Sequence, residues 1–141
     1  MFDEEMKSGQ DTDMWIRIAL KKPIAFSAII SSTKIILAPE YHLSYSKNRI
    51  DRLKLFKKHI EISESNDSLR KFMDLNRFSV AIERNEAKDY SNYKLLANAI
   101  KPSSLNLKQR LLLNLPSILI TLLKRVQNLL LRFNIYVSPF K

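Results

Sequence analysis

A single glycine in 141 residues, Gly9, sets the tightest limit on what this chain can build. Loops that cradle a phosphate need several residues that tolerate positive φ or a close approach of backbone to ligand. One glycine does not furnish them, so neither a P-loop nor a dinucleotide fingerprint is present. A main nucleotide pocket, if the function needs one, must lie elsewhere. Cysteine is absent too, which removes disulfides and thiolate metal sites and suits a reducing compartment. The length fits one modest domain.

The net charge of +10 points to a polyanionic partner, and by charge alone nucleic acid and an anionic membrane surface both qualify. The opening Met1-Phe2-Asp3-Glu4-Glu5 is acidic where a signal peptide is basic and then apolar. Export by that route is therefore not expected, and a cytoplasmic location is.

Along the chain, the stretch Gly9-Gln10-Asp11-Thr12-Asp13-Met14-Trp15 leads into an apolar run. Asp11 or Thr12 is expected to cap a helix reaching about Lys21, ended by Pro23. Met14, Trp15, Ile16, Ile18, Ala19 and Leu20 cover it nearly all round, which predicts burial. Asp13 and Arg17 stand four apart with the acid N-terminal, the favourable order for a helical ion pair. Residues 24–45 lose the helical period and turn β-branched and aromatic, predicting one or two short strands. A helix follows from near Arg49 or Ile50. Beyond it, Leu53, Phe56, Ile60 and then Leu69, Phe72, Met73, Asn76 and Val80 mark buried helical faces at spacings of three and four. Lys101-Pro102-Ser103-Ser104 is the clearest break, with Ser103 or Ser104 as a cap for the next helix and Asn114 as a cap where Pro116 restarts it.

On residue chemistry alone, Asp11 caps a helix, Asp13 pairs with Arg17 and Trp15 belongs to the core. The stretch "FDEEMKSGQDTDMWIRIALKKPIAFS" also resembles the segment around the acidic motif of family 2 glycosyltransferases, whose usual pattern is Gly-Glu-Asp-x-x-x-Trp-x-Arg after a Phe-Asp-Glu run. Here the matching residues are Gly9, Gln10, Asp11, Trp15 and Arg17, preceded by Phe2, Asp3 and Glu4. The likeness covers roughly the first thirty residues, and Gln10 departs from the usual glutamate. The resemblance implies a nucleotide-sugar donor, a glycan or lipid-linked acceptor, inversion at the transferred sugar and a divalent cation (Mg or Mn) in the complete enzyme. No cofactor is expected within this chain. The resemblance makes Asp11 the candidate general base that deprotonates the acceptor hydroxyl, and it puts Trp15 on the acceptor side as well as in the core. It also places His42, in "PEYHLSYS", in a loop near the donor phosphates; as a residue alone, His42 is a surface or half-buried histidine in a strand-exit loop. His59, in "FKKHIEI", is assigned no chemistry. The literal Asp-x-Asp of Asp11 and Asp13 is not read as a metal clamp, because these acids open a helix and Asp13 is committed to Arg17.

The expected architecture is α+β and mostly helical. Residues 1–48 form the C-terminal part of a GT-A catalytic domain, a buried helix with one or two short strands, 49–100 a helical extension, and 101–141 basic amphipathic helices. Residues 101–141 hold seven basic side chains and no acid. Ser117, Thr121, Lys124, Arg125, Asn128 and Arg132 share one narrow face, and apolar residues cover the rest. That apolar face is wider than one core contact needs, so part is expected to meet protein and part another apolar medium. An anionic membrane surface, met from the inner face, is the economical candidate, and an ordinary buried C-terminal helix is the alternative. The uncharged run Leu111 to Leu123 is shorter than the roughly 20 residues of a membrane span. Nucleic acid is not expected as a partner, since no motif is present and the aromatics are not interleaved with the charges. From a different functional class, a non-enzymatic helical adaptor that binds a membrane surface or a protein partner also fits the composition.

Overall fold

The computed structural model describes residues 3–6, 9–25, 27–29, 52–133 and 135–137. Their regular structure is helical: α1 (Gln10–Ala19), α2 (Arg52–Lys58), α3 (Ile60–Ser65), α4 (Asp67–Glu86), α5 (Tyr90–Asn98), a 3₁₀ turn (Pro102–Ser104), α6 (Leu107–Leu113) and α7 (Ser117–Arg132). The chain divides into two compact units, Met1–Glu61 and Ile62–Lys141.

The α+β expectation is corrected by this architecture: the described residues hold no strand, and with no strand they hold no part of the buried sheet of a GT-A domain. Of the segment expected to be extended, residues 24, 25 and 27–29 are described and carry no ladder. Ile24 and Ile29 are 55% and 81% exposed, so no second layer covers them as the face of a sheet would require. The Ile29 N–H is bonded to Ser27 Oγ (3.3 Å), a local side-chain bond that takes a donor a ladder would use. The remainder of the expected strands, with His42, lies outside the described residues.

In unit 1, α1 starts earlier than the capping pattern suggests. Gly9 is the N-cap residue in the left-handed conformation (φ 81°), where the absence of a Cβ matters, and no side chain caps the helix. The Gln10 side-chain amide folds back to donate to the carbonyls of Asp3 (3.2 Å) and Met6. That places Asp11 inside the first turn. The predicted all-round burial of α1 is also corrected: only Asp13 and Ile16 are buried, and Trp15 is 55% exposed. Among the described residues of this unit, Met6, Leu55 and Phe56 are also buried.

Unit 2 is organised on α4, whose buried residues Leu69, Met73, Asp74, Arg77, Phe78, Val80, Ala81 and Asn85 recur at the helical spacing. Phe72, expected on that face, points outward at 44% exposure. Phe78 packs with Ile100 and Leu105, and Leu75, Ile82, Leu112 and Leu113 close around them. Buried Asp74 accepts from Arg77 (2.8 Å), Ser104 Oγ (2.7 Å) and the Lys101 N–H (3.2 Å), which pins the Lys101-Pro102 turn to the middle of α4. The expected serine caps are corrected here. Ser104 serves Asp74, and Asn106 caps α6 through a capping box with Gln109 (2.8 and 2.9 Å). Asn114 ends α6, and Pro116 is the N-cap residue of α7. The Asn85 amide donates to the Leu115 carbonyl (2.8 Å) and the Tyr93 hydroxyl to that of Leu113, fixing the α6–α7 corner on α4 and α5.

Candidate functional site

The two carboxylates of α1 have opposite fates. Asp13 sits one turn in from the start of the helix on its inward edge and is fully buried. Arg17, four residues on, donates from Nε to Asp13 Oδ2 (3.0 Å), as the spacing predicts. Two residues from the end of α2 complete its surroundings. His59 Nε2 lies 2.8 Å from Asp13 Oδ1, and Lys58 Nζ lies 3.2 Å from the same carboxylate. A carboxylate only accepts, so the His59 proton shared in this contact is carried on Nε2. Lys58 also binds Asp3 (2.5 Å), and Lys54 donates to the Glu5 carbonyl (3.2 Å), which ties the turn before α1 to the same face of α2.

The electrostatics follow from that packing. Burial pushes the Asp13 carboxyl upward, but the hydrogen bonds from His59 and Lys58 and the charges of Lys58 and Arg17 outweigh it and hold the group below its ordinary value. Asp3 is likewise lowered, chiefly by its hydrogen bond from Lys58 and also by the Glu5 N–H. Lys58 is raised, first by Asp3 and then, against its partial burial, by Asp13. Asp13 is therefore an ionised, fully engaged structural anion with no lone pair turned to solvent. It is not available as a base.

Asp11 has none of these partners. It is exposed, and its Oδ1 accepts only from its neighbour, from Thr12 N (2.7 Å) and Thr12 Oγ1 (3.4 Å), among the described residues. Trp15 stands four residues on, hence one turn above Asp11 on the same face of α1. An exposed carboxylate near a half-exposed indole offers a hydrogen-bond acceptor and an apolar ring face side by side. Gln10, the departure from the usual acid, is occupied with the backbone of Asp3 and Met6 and does not join this face.

The structure thus brings Asp13 and Arg17 together as a structural pair, puts Asp11 and Trp15, both exposed, one turn apart on α1, and engages the Gln10 side chain with the turn before the helix. His59 and Lys58 are the members of the cluster that the sequence reading passed over. Their signal was present in the spacing: His59 follows Leu55 and Phe56 by four and three, which puts it on the apolar face of a helix otherwise lined with lysines. Among the described residues no three acidic or histidine side chains converge, and both oxygens of Asp13 already face cations or histidine. No protein-family model, curated protein or solved structure matches the chain.

Proposed function

We propose that the outer face of α1 is the acceptor-binding surface of a nucleotide-sugar-dependent glycosyltransferase, with Asp11 as its base and Trp15 as its sugar platform. The observation that carries this reading is the segregation of the two acids. Asp13 is consumed by Arg17, Lys58 and His59, while Asp11 stays exposed next to an exposed indole. The likeness of "GQDTDMWIR" to the family 2 acidic motif supplies the reaction class.

In that role the Asp11 carboxylate takes the proton of an acceptor hydroxyl as its oxygen attacks the anomeric carbon of the donor sugar. The bond from that carbon to the nucleotide diphosphate breaks, and the diphosphate leaves with the electron pair, so the sugar is inverted. The donor-binding groups are not among the described residues. What α1 contributes is position: a rigid helix held by the buried Asp13 cluster at its inner edge, carrying base and platform one turn apart on the other.

The test separates the platform from the base. In the complete enzyme, Trp15→Ala should raise the acceptor KM about tenfold with a smaller effect on kcat, because it removes an aromatic contact made before and during transfer. Trp15→Phe should restore most of the loss. Because Trp15 is half-exposed, the melting temperature of Trp15→Ala should barely move. An unchanged acceptor KM in Trp15→Ala would overturn the assignment.

A further inference from the structure

Within unit 2, α7 turns Ser117, Ile120 and Lys124 toward α4 and α5, while Arg125, Asn128 and Arg132 of its polar side are exposed. Ser117 is buried with its hydroxyl 3.2 Å from that of Tyr90, and Lys124 pairs with Glu86. Of the apolar residues, Ile120 alone is fully buried on that side. The opposite face carries Ile118, Leu119, Leu122, Leu123, Val126 and Leu129, between 42% and 77% exposed. Six large aliphatic side chains on one face of a 16-residue helix form a patch that a monomeric protein in water rarely leaves bare. The patch continues into an apolar groove of about 670 Å³ between α4, α6 and α7, floored by Phe78 and Ile82 and edged by Leu111, Leu123 and Val126.

The charges around the patch select its occupant. After Asp89 the chain has eight lysines and arginines and no acid. Arg125 and Arg132 are exposed and lie along one border of the apolar face by helical position, and Lys108 edges the groove. Face-to-face pairing of two copies would bring these cations against their own images, which disfavours self-association. An anionic bilayer supplies both halves of the match, acyl chains for the aliphatic face and headgroup charge for its basic border. No helix among the described residues is long and apolar enough to cross a membrane, so α7 would lie in the plane of the interface. We infer that the outward apolar face of α7, with the groove beside it, is a docking surface for an anionic lipid bilayer. This inference concerns unit 2 and stands or falls separately from the sugar-transfer reading of α1.

Flotation of the full chain with vesicles tests it. The chain should float with phosphatidylcholine vesicles containing about a third phosphatidylglycerol and stay behind with phosphatidylcholine alone. The double variant Leu122→Asp, Val126→Asp should abolish flotation, and Arg125→Glu with Arg132→Glu should weaken it about tenfold or more. All four side chains are exposed, so circular dichroism and the melting temperature should be unchanged. A chain that stays behind with anionic vesicles would overturn the inference. So would a stable dimer, seen by sedimentation and broken by Val126→Asp, in a chain that does not float; the face would then belong to a second copy.

Discussion

Asp13→Ala should lower the stability of unit 1 by about 3 kcal/mol, the low end of the range for removing one member of a buried charged cluster. Three donors converge on this carboxylate, and the buried one, His59, would be left with an unsatisfied Nε2. Arg17 and Lys58 reach water and soften the loss. Trp15 is the only tryptophan and lies on α1, so its emission during urea unfolding reports on this unit. A midpoint equal to that of the parent chain would refute the structural role. The pH dependence has a definite sign. The Asp13 carboxyl is depressed in the folded state, so its contribution is present above the unfolded value near 3.8 and is lost as the pH falls through the lower folded value. Unit 1 should therefore lose stability on acidification through the carboxylate range, and, because Lys58 is raised, again on strong alkalinisation; Asp13→Ala should flatten part of the acid limb, Asp3 keeping the rest, and lower the neutral plateau.

For Asp11→Asn the expected loss is in rate. A positioned base contributes about a hundredfold to ten-thousandfold, and turnover of the complete enzyme should fall by that factor. Its stability should change by no more than about 0.5 kcal/mol, because among the described residues Asp11 bonds only with Thr12 and its remaining contribution is that of an acid in a helical first turn. Two acids two residues apart would thus give opposite phenotypes, one in stability and one in rate. Near-parental turnover of Asp11→Asn would remove Asp11 from the chemistry.

Local spacing made part of this legible. The Asp13–Arg17 pair follows from an i to i+4 relation within one helix, and the α4 positions Leu69, Met73 and Val80 are buried at the spacing that marks them. The break at Lys101-Pro102 is also where α5 gives way to α6. What escaped depends on partners distant in sequence. His59 meets Asp13 across 46 positions, and no periodicity within "FKKHIEI" names that partner. The start of α1 shifts because Gln10 finds carbonyls before the helix, which lets Gly9 take the cap position from Asp11. The direction of α7 escaped for a similar reason. An amphipathic pattern defines two faces but does not say which residues turn inward, and here Tyr90 and Glu86 draw Ser117 and Lys124 toward α5 and α4. The strands expected over 24–45 rested on β-branched composition, and in the described part of that segment Ser27 satisfies the backbone locally.

The most direct test of the acceptor surface uses this chain alone and its one tryptophan. Titration with free and lipid-linked oligosaccharides, read by Trp15 emission, should give a saturable blue shift as the half-exposed indole is covered by a sugar face. The same titration on Asp11→Asn should be about tenfold weaker, since the charge-assisted hydrogen bond to an acceptor hydroxyl is gone. Emission that no glycan moves, or a shift that Asp11→Asn leaves at full affinity, would contradict the assignment of α1 as a sugar-acceptor face.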